Sequence, residues 1–597
     1  MDDISPVKPP GSGRTGPHPH GVAKRILLAL RGWLRAAEPG LVVLALFAGV
    51  CGGLLAAGMR AATLWLHELF GHGVVEGAPG AIANPLTLVL LPALGGLLLG
   101  LFNMLRARYH AHRPVDPIEA NALHGGRMAP ADSLVVAVQN ILSNGFGASV
   151  GLEAGYAQVG SGAASRLGVL FGLRRGDLRV LVGCGAGGAI AAAFDAPLTG
   201  AFYAFELIIG TYTIAALAPV VMAAVAGSLV ARALHGQTYF VQPGEVIAPG
   251  WEGYPMALVL GVACALVGIV LMRSVGTVET VLKKVVPWAA LRPAVGGLCV
   301  GGLALIMPGV LGAGHGGLHL AFDMQTAIGT VALLFALKTA ASAISLGAGF
   351  RGGLFFASLM MGALFGSLFA AALPLVGLPP QDRLLLTLIG MSAFGTAVVG
   401  APLTMTFLAM ESTGNFAVAG VVLTAAAVTG VLVRRLFGYS FATWRFHLRG
   451  EAIRSALDIG WLFDLTVERL MRRDVASVRA DMPLAAFRAE FPLGATERVV
   501  VCDASGRYAG MVMVAEAHAA AGDTPLDALL HLEDALLLPR MNVKEAMAVF
   551  DTTEAEALAV VDALDSRKVV GLVTASHLLR RYGEELDRRR QEEVGAS

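Results

Sequence analysis

The sequence predicts an all-α, multi-span membrane domain made of two related halves with broken helices, followed by a smaller soluble α/β domain. Three observations predict it: a composition too apolar for a soluble chain, a short motif that recurs with its surroundings, and a rise in charge after residue 450. Of 597 residues, 55% are hydrophobic and 15% charged, and the mean hydropathy is +0.67. Such a balance excludes an ordinary soluble globule. Windows without Asp, Glu, Lys or Arg run over 39–59, 77–105, 207–231, 253–272, 352–381, 384–410 and 412–433. Each is about as long as the roughly 20 residues that a bilayer-crossing helix needs, and no polar–apolar alternation points to a barrel.

Residues 1–24 are rich in Pro, Gly and His and contain no apolar core, so they read as a disordered N-terminus without a cleavable signal peptide. The membrane domain is expected over 25–450. It opens with a basic, partly apolar stretch, 25–37, suited to lie along the membrane surface. Lys24, Arg25, Arg31 and Arg35 precede the first span, and Arg434, Arg435, Arg445 and Arg449 follow the last. By the positive-inside rule both termini are cytoplasmic, with the plasma (inner) membrane the expected location.

Two strong spans lead to a polar interruption, 106–132, carrying Pro114-Val115-Asp116-Pro117-Ile118. From Ser133 onward the apolar segments are repeatedly broken by Gly, Pro and polar residues. Broken backbone survives at membrane depth only where it is buried in protein or lines a cavity, so half-helices should meet in the interior.

A repeat supports this. Ala196-Pro197-Leu198-Thr199 and Ala401-Pro402-Leu403-Thr404 are each followed by a glutamate ten residues from their first residue, Glu206 and Glu411. Upstream stands a second matched pair, Gly151-Leu152-Glu153-Ala154-Gly155 and Gly349-Phe350-Arg351-Gly352-Gly353. Two matched features in one order argue for duplicated halves with a site between them. At such spacing Glu206 and Glu411 read as structural caps or pairs.

Beyond 450 the soluble domain, 451–597, carries dense charge and no spanning window. Short Val-rich runs at 498–502, 511–514 and 568–573 read as strands, and 525–532 and 543–549 as helices. Two similar units, 474–520 and 538–582, each end in a Gly-opened strand followed by a helix, before a charged tail.

Glu153 is the lone carboxylate of an apolar stretch, 134–162. An isolated buried acid is costly unless it is neutral, paired or hydrated, so it is either a helix-start acid satisfied by backbone N–H groups or a functional group. A half-helix start aimed into the membrane offers free N–H groups and a positive dipole end to an anion. Gly151 and Gly353 let backbone approach such an ion. Protonated, Glu153 would release the seat; ionised, it would occupy it. Cys51, Cys184, Cys264, Cys299 and Cys502 form no CxxC pair, so neither metal nor disulfide is indicated. No nucleophile, base and oxyanion set suggests an enzyme, and a net charge of +1 suggests no nucleic-acid partner.

These motifs resemble those of the CLC chloride channels and transporters. Residues 151–155 are similar to the family's G-[KR]-E-G-P segment, 353–357 to its G-x-F-x-P segment, and 114–117 lies where the family has G-S-G-I-P. The tail resembles a CBS-domain pair, and the likeness spans most of the chain. The resemblance implies a homodimer in the lipid bilayer, with inverted halves and an anion pathway in each subunit. It makes Glu153 the external gate and proton acceptor. The central anion would be bound by Pro114, Gly151, Leu152, Gly353, Leu354 and Phe355, with Leu354 and Phe355 supplying backbone amides. Phe441 is the central aromatic, with Tyr439 as alternative; Phe441 lacks the tyrosine hydroxyl usual there. Pro114 replaces a serine, which implies nitrate besides chloride; a one- or two-residue slip would put Val115 or Asp116 at that position.

Leu207 stands where exchangers carry an internal glutamate, which favours a proton-gated channel over coupled anion/proton exchange. No cofactor is required. An adenine nucleotide at the CBS pair is an alternative to dimer support, since an acid that contacts ribose is matched by Glu516 in the first unit but by His577 in the second. A membrane-anchored nucleotide sensor is the remote alternative.

Overall fold

The computed structural model describes residues 38–70, 84–109, 113–236, 250–323, 325–447 and 465–594. The expected disordered start, the surface helix over 25–37, the four basic residues before the first span and Arg449 lie outside the described residues. The chain separates into two compact units, Met1–Leu457 and Asp458–Ser597.

The first unit is all-helical and runs through the same series twice. Its first half comprises α1 (Glu38–Phe70), α2 (Pro85–Tyr109), α3 (Pro117–Leu123), α4 (Pro130–Gly145), α5 (Glu153–Phe171), α6 (Arg175–Phe194), α7 (Pro197–Tyr203) and α8 (Ile214–His235). The second comprises α9 (Gly253–Val285), α10 (Arg292–Ile306), α11 (His315–Phe322), α12 (Ile328–Ala348), α13 (Phe355–Ala372), α14 (Arg383–Val399), α15 (Pro402–Thr413) and α16 (Phe416–Leu436). A short helix, α17 (Phe441–His447), follows. Among the described residues nine helical stretches are long and apolar enough to cross a membrane.

Sequence windows and helices differ in two ways. The window 384–410 is two elements, because Gly400 turns with φ 84° and Pro402 starts a new helix at its first turn. Spans also occur where charge interrupts the windows: Arg175–Phe194 opens on charged residues, Ala289–Ile306 contains Arg292, and Ile328–Ala348 contains Lys338. One charge near an end or inside protein does not prevent a span.

Small residues bring the helices together. A Cβ on Gly160 of α5 would collide with the carbonyl of Gly185 of α6, and one on Gly362 of α13 with that of Gly390 of α14. These contacts occupy equivalent places in the two halves, and close backbone approach is how helices pack where lipid supplies no hydrophobic drive.

The halves then clasp each other. Glu411 accepts from the Leu198 and Thr199 N–H groups, both at 2.8 Å, and from the Thr199 hydroxyl at 2.7 Å. Glu206 accepts from the Leu403 and Thr404 N–H groups at 3.0 and 2.9 Å and from the Thr404 hydroxyl at 2.7 Å. Each acid thus caps the Ala-Pro-Leu-Thr helix start of the opposite half, where orphan donors and the dipole favour negative charge. Ser345 Oγ likewise accepts from Ser149 N–H, and Ser143 Oγ from Arg351 N–H, each at 3.0 Å. Each of these bonds has its counterpart in the other half, the relation expected of inverted halves.

The second unit holds two sheets of one design. In the first, β1 (Ser477–Arg479) pairs parallel with β2 (Arg498–Cys502), which pairs antiparallel with β3 (Tyr508–Met513). In the second, β4 (Leu536–Leu537), β5 (Ala557–Val561) and β6 (Val569–Thr574) repeat that order. α18 (Val514–Ala519) follows β3, α19 (Val543–Thr553), which lies between β4 and β5, is fixed by a capping box of Asn542 and Glu545, and α20 (Ala575–Val594) follows β6. The expected helix over 525–532 is a 3₁₀ turn, Leu526–Leu529.

Candidate functional site

Two buried helix starts meet at the centre of the first unit. α5 begins at Glu153 and α13 at Phe355, and neither has a side-chain cap. Gly151 N–H donates to the Gly353 carbonyl at 2.9 Å, and Gly353 N–H to the Gly151 carbonyl at 3.1 Å. This antiparallel bridge holds the two starts beside each other. Their first-turn N–H groups have no partner within their own helices, the arrangement that receives an anion.

A cavity of about 130 Å³ opens against these starts. Glu153, Gly353, Leu354, Phe355 and Phe441 line it, together with Asp116, Tyr203, Leu207, Arg351 and Arg445. Five of the sequence-predicted site residues are thus brought together. Gly151 and Leu152 lie just behind the wall, and Pro114 is half-buried outside it. Asp116 stands at the wall as the N-cap of α3, its Oδ1 accepting from Ile118 N–H at 2.9 Å. Neighbouring Val115 is fixed on both sides, its N–H to Asp132 at 3.2 Å and its carbonyl to Gln158 at 2.9 Å. Phe441 rather than Tyr439 faces the cavity, with the Arg445 guanidinium 5.9 Å from its ring centre.

Glu153 is 4% exposed. Its carboxylate accepts backbone hydrogen bonds from its own N–H and from Phe356, in the first turn of α13, and Oε2 has no partner among the described residues. An acid rooted in one helix start therefore sits on the other, where an anion would bind. Space for it depends on glycine, since a Cβ on Gly151 would overlap Oε2.

Leu207 lines the same cavity and offers no titratable atom. It belongs to a π-helical turn, Ala204–Ile209, that continues α7. Lys338, which sequence reasoning missed, is fully buried in α12; its Nζ donates to the Val310 and Gly312 carbonyls at 3.1 and 2.8 Å. A lone lysine in an otherwise apolar span was the available signal.

In the second unit Glu516 Oε2 lies 2.6 Å from His531 Nε2. His577 begins the last helix beside Arg580, 3.2 Å away. Burial, with Arg580, Arg472 and Arg581 around it, holds its imidazole below the ordinary value. No cluster of metal-ligating side chains occurs among the described residues.

A family model described as "Voltage gated chloride channel" matches residues 107–434. A protein named "Voltage-gated ClC-type chloride channel ClcB", from Escherichia coli O81 (strain ED1a), is 30% identical over 408 residues, covering 66% of this chain and 96% of that protein. The structure of a slow cyanobacterial Cl⁻/H⁺ antiporter is similar with TM-score 0.60 and 23% identity, over 68% of this chain and 97% of that one. That of a eukaryotic CLC transporter is similar with TM-score 0.58 and 18% identity, over 92% of this chain and 98% of that one. At these identities the structural likeness establishes the fold.

Proposed function

The chain belongs to the voltage-gated chloride channel family, and on that premise we propose that it conducts chloride through a pathway gated by protonation of Glu153. The observation that carries this reading is the Glu153 carboxylate, rooted at the start of α5 yet resting on the start of α13, with Oε2 unpartnered. Ionised, it competes with a permeating anion for the same N–H groups and dipole field; protonated, it loses that attraction and leaves the seat. Lower external pH therefore opens the pathway. Nitrate shares chloride's charge and is a second substrate in this reading.

The mode we favour is a proton-gated channel. Support comes from Leu207, which puts an alkyl side chain on the cavity wall where coupled exchange would want a proton acceptor, and from the printed name of the 30% identical relative. The competing mode is coupled anion/proton exchange, favoured by the buried titratable gate itself. The working protein in this proposal is a homodimer in the plasma membrane, with both termini cytoplasmic and the CBS pair supporting assembly.

Reversal potentials under opposed chloride and proton gradients test it. A potential that follows the chloride gradient alone is expected. One displaced in proportion to the proton gradient replaces the channel with an exchanger, and one indifferent to chloride removes the anion pathway.

A further inference from the structure

The cavity contains a single hydroxyl, that of Tyr203. The side chain is 9% exposed, and no described residue accepts a hydrogen bond from it. Its neighbours explain its position. Tyr203 ends α7, whose start is locked by Glu411 through Leu198 and Thr199, and its ring lies 6.1 Å from that of Phe355, centre to centre. The backbone is therefore rigid where it presents this phenol to the cavity.

Packing alone does not account for a tyrosine here. A phenylalanine would make the same ring contact, so the hydroxyl facing the cavity is what a tyrosine adds here. The same cavity is lined by Phe441, an aromatic ring with no hydroxyl. The start of α13, Leu354 and Phe355, borders the same space.

We propose that Tyr203 donates its hydroxyl to the anion in this cavity, supplying the donor that Phe441 lacks. The ligand is a small monovalent anion, chloride or nitrate; the proposal rests on the reading of the cavity as the anion seat. Its chemistry is a neutral O–H pointed at a full negative charge, which is stronger than the same bond to water's neutral oxygen. The donor then sits on α7, just ahead of the turn that carries Leu207, rather than on α17.

The test is chloride titration calorimetry on the full-length protein in detergent, for wild type, Tyr203→Phe, Phe441→Tyr and the double variant. Tyr203→Phe should weaken chloride binding roughly tenfold, the scale of a hydrogen bond to a charge, without moving the thermal midpoint. Adding Phe441→Tyr should recover most of that loss by returning a hydroxyl to the cavity. Equal affinities for wild type and Tyr203→Phe overturn the proposal and leave the anion seat standing. A double variant as weak as Tyr203→Phe also overturns it, assigning the loss to packing. A folded wild type that binds no chloride removes the seat itself.

Discussion

Glu206 and Glu411 each accept from two backbone N–H groups and a threonine hydroxyl of the opposite half, whereas Glu153, more deeply buried, keeps Oε2 without a partner. All three acids reach a helix start that is not their own, and Glu153 also accepts from its own. The first two are related by the repeat and return each other's bonds, so the pair locks the halves together. Glu153 has no such counterpart, because the repeat places Phe355 at the matching position of α13. A fully satisfied acid stabilises a single arrangement; one with an idle oxygen can leave at little cost. The symmetric acids thus hold the halves together, and the proposed gate is the asymmetric one.

The largest expected effect falls on the symmetric pair. Glu411→Ala strands the Leu198 and Thr199 donors, and should destabilise the membrane unit by about 3 kcal/mol or more, as hydrogen bonds to a charge are lost. Thermal unfolding in detergent would register it. Glu206→Ala should match it closely, and a clear inequality would break the claim that the two are exchanged equivalents.

Glu153→Gln should do the reverse, leaving stability within about 1 kcal/mol while abolishing the pH dependence of flux. A neutral side chain mimics the protonated gate, so flux at alkaline external pH should rise to the acid value. Chloride efflux from liposomes across an external pH series reads this directly. An unchanged profile would class Glu153 with the structural acids.

A smaller effect separates the two bridging glycines. A Cβ at Gly151 overlaps the flexible end of Glu153, but one at Gly353 stops 3.4 Å from Oε2. Gly151→Ala should therefore displace the carboxylate and raise alkaline flux several-fold in the same efflux assay. Gly353→Ala should change it less than about twofold, since 3.4 Å is an ordinary contact. Equal responses would mean that the glycines serve only the bridge.

Sequence carried much of this and stopped at definable places. The duplicated Ala-Pro-Leu-Thr segments were visible with their glutamates, because a cap and the helix start it serves are local signals. Which start each acid caps was not visible, since Glu411 reaches back to Leu198 and Thr199 across 213 and 212 positions. The break inside 384–410 was missed although Gly400 and Pro402 mark it, because uniform apolarity masks a turn buried in protein. Lys338 hid a span for the opposite reason. At the site, the Glu153 and Phe355 helix starts were legible as motifs, but the wall composition was not: Tyr203 comes from α7 and Arg445 from α17, and only packing brings them to one cavity.

The smallest expected effect concerns Pro114, and it tests where the anion seat ends. The resemblance puts Pro114 at a position that usually carries a serine facing the anion, which makes Pro114→Ser a change from nitrate towards chloride preference. The geometry limits that change. Pro114 lies outside the cavity wall, Val115 is held by Asp132 and Gln158, and Asp116 occupies the wall as the cap of α3. A serine hydroxyl at 114 would have to act through this fixed segment. The nitrate-to-chloride permeability ratio from bi-ionic reversal potentials should therefore shift towards chloride by less than about fivefold, the worth of one ordinary hydrogen bond. A shift of about tenfold or more would put the hydroxyl on the anion, extend the seat beyond Asp116, and make the α3 entry a third helix start that binds the permeating ion.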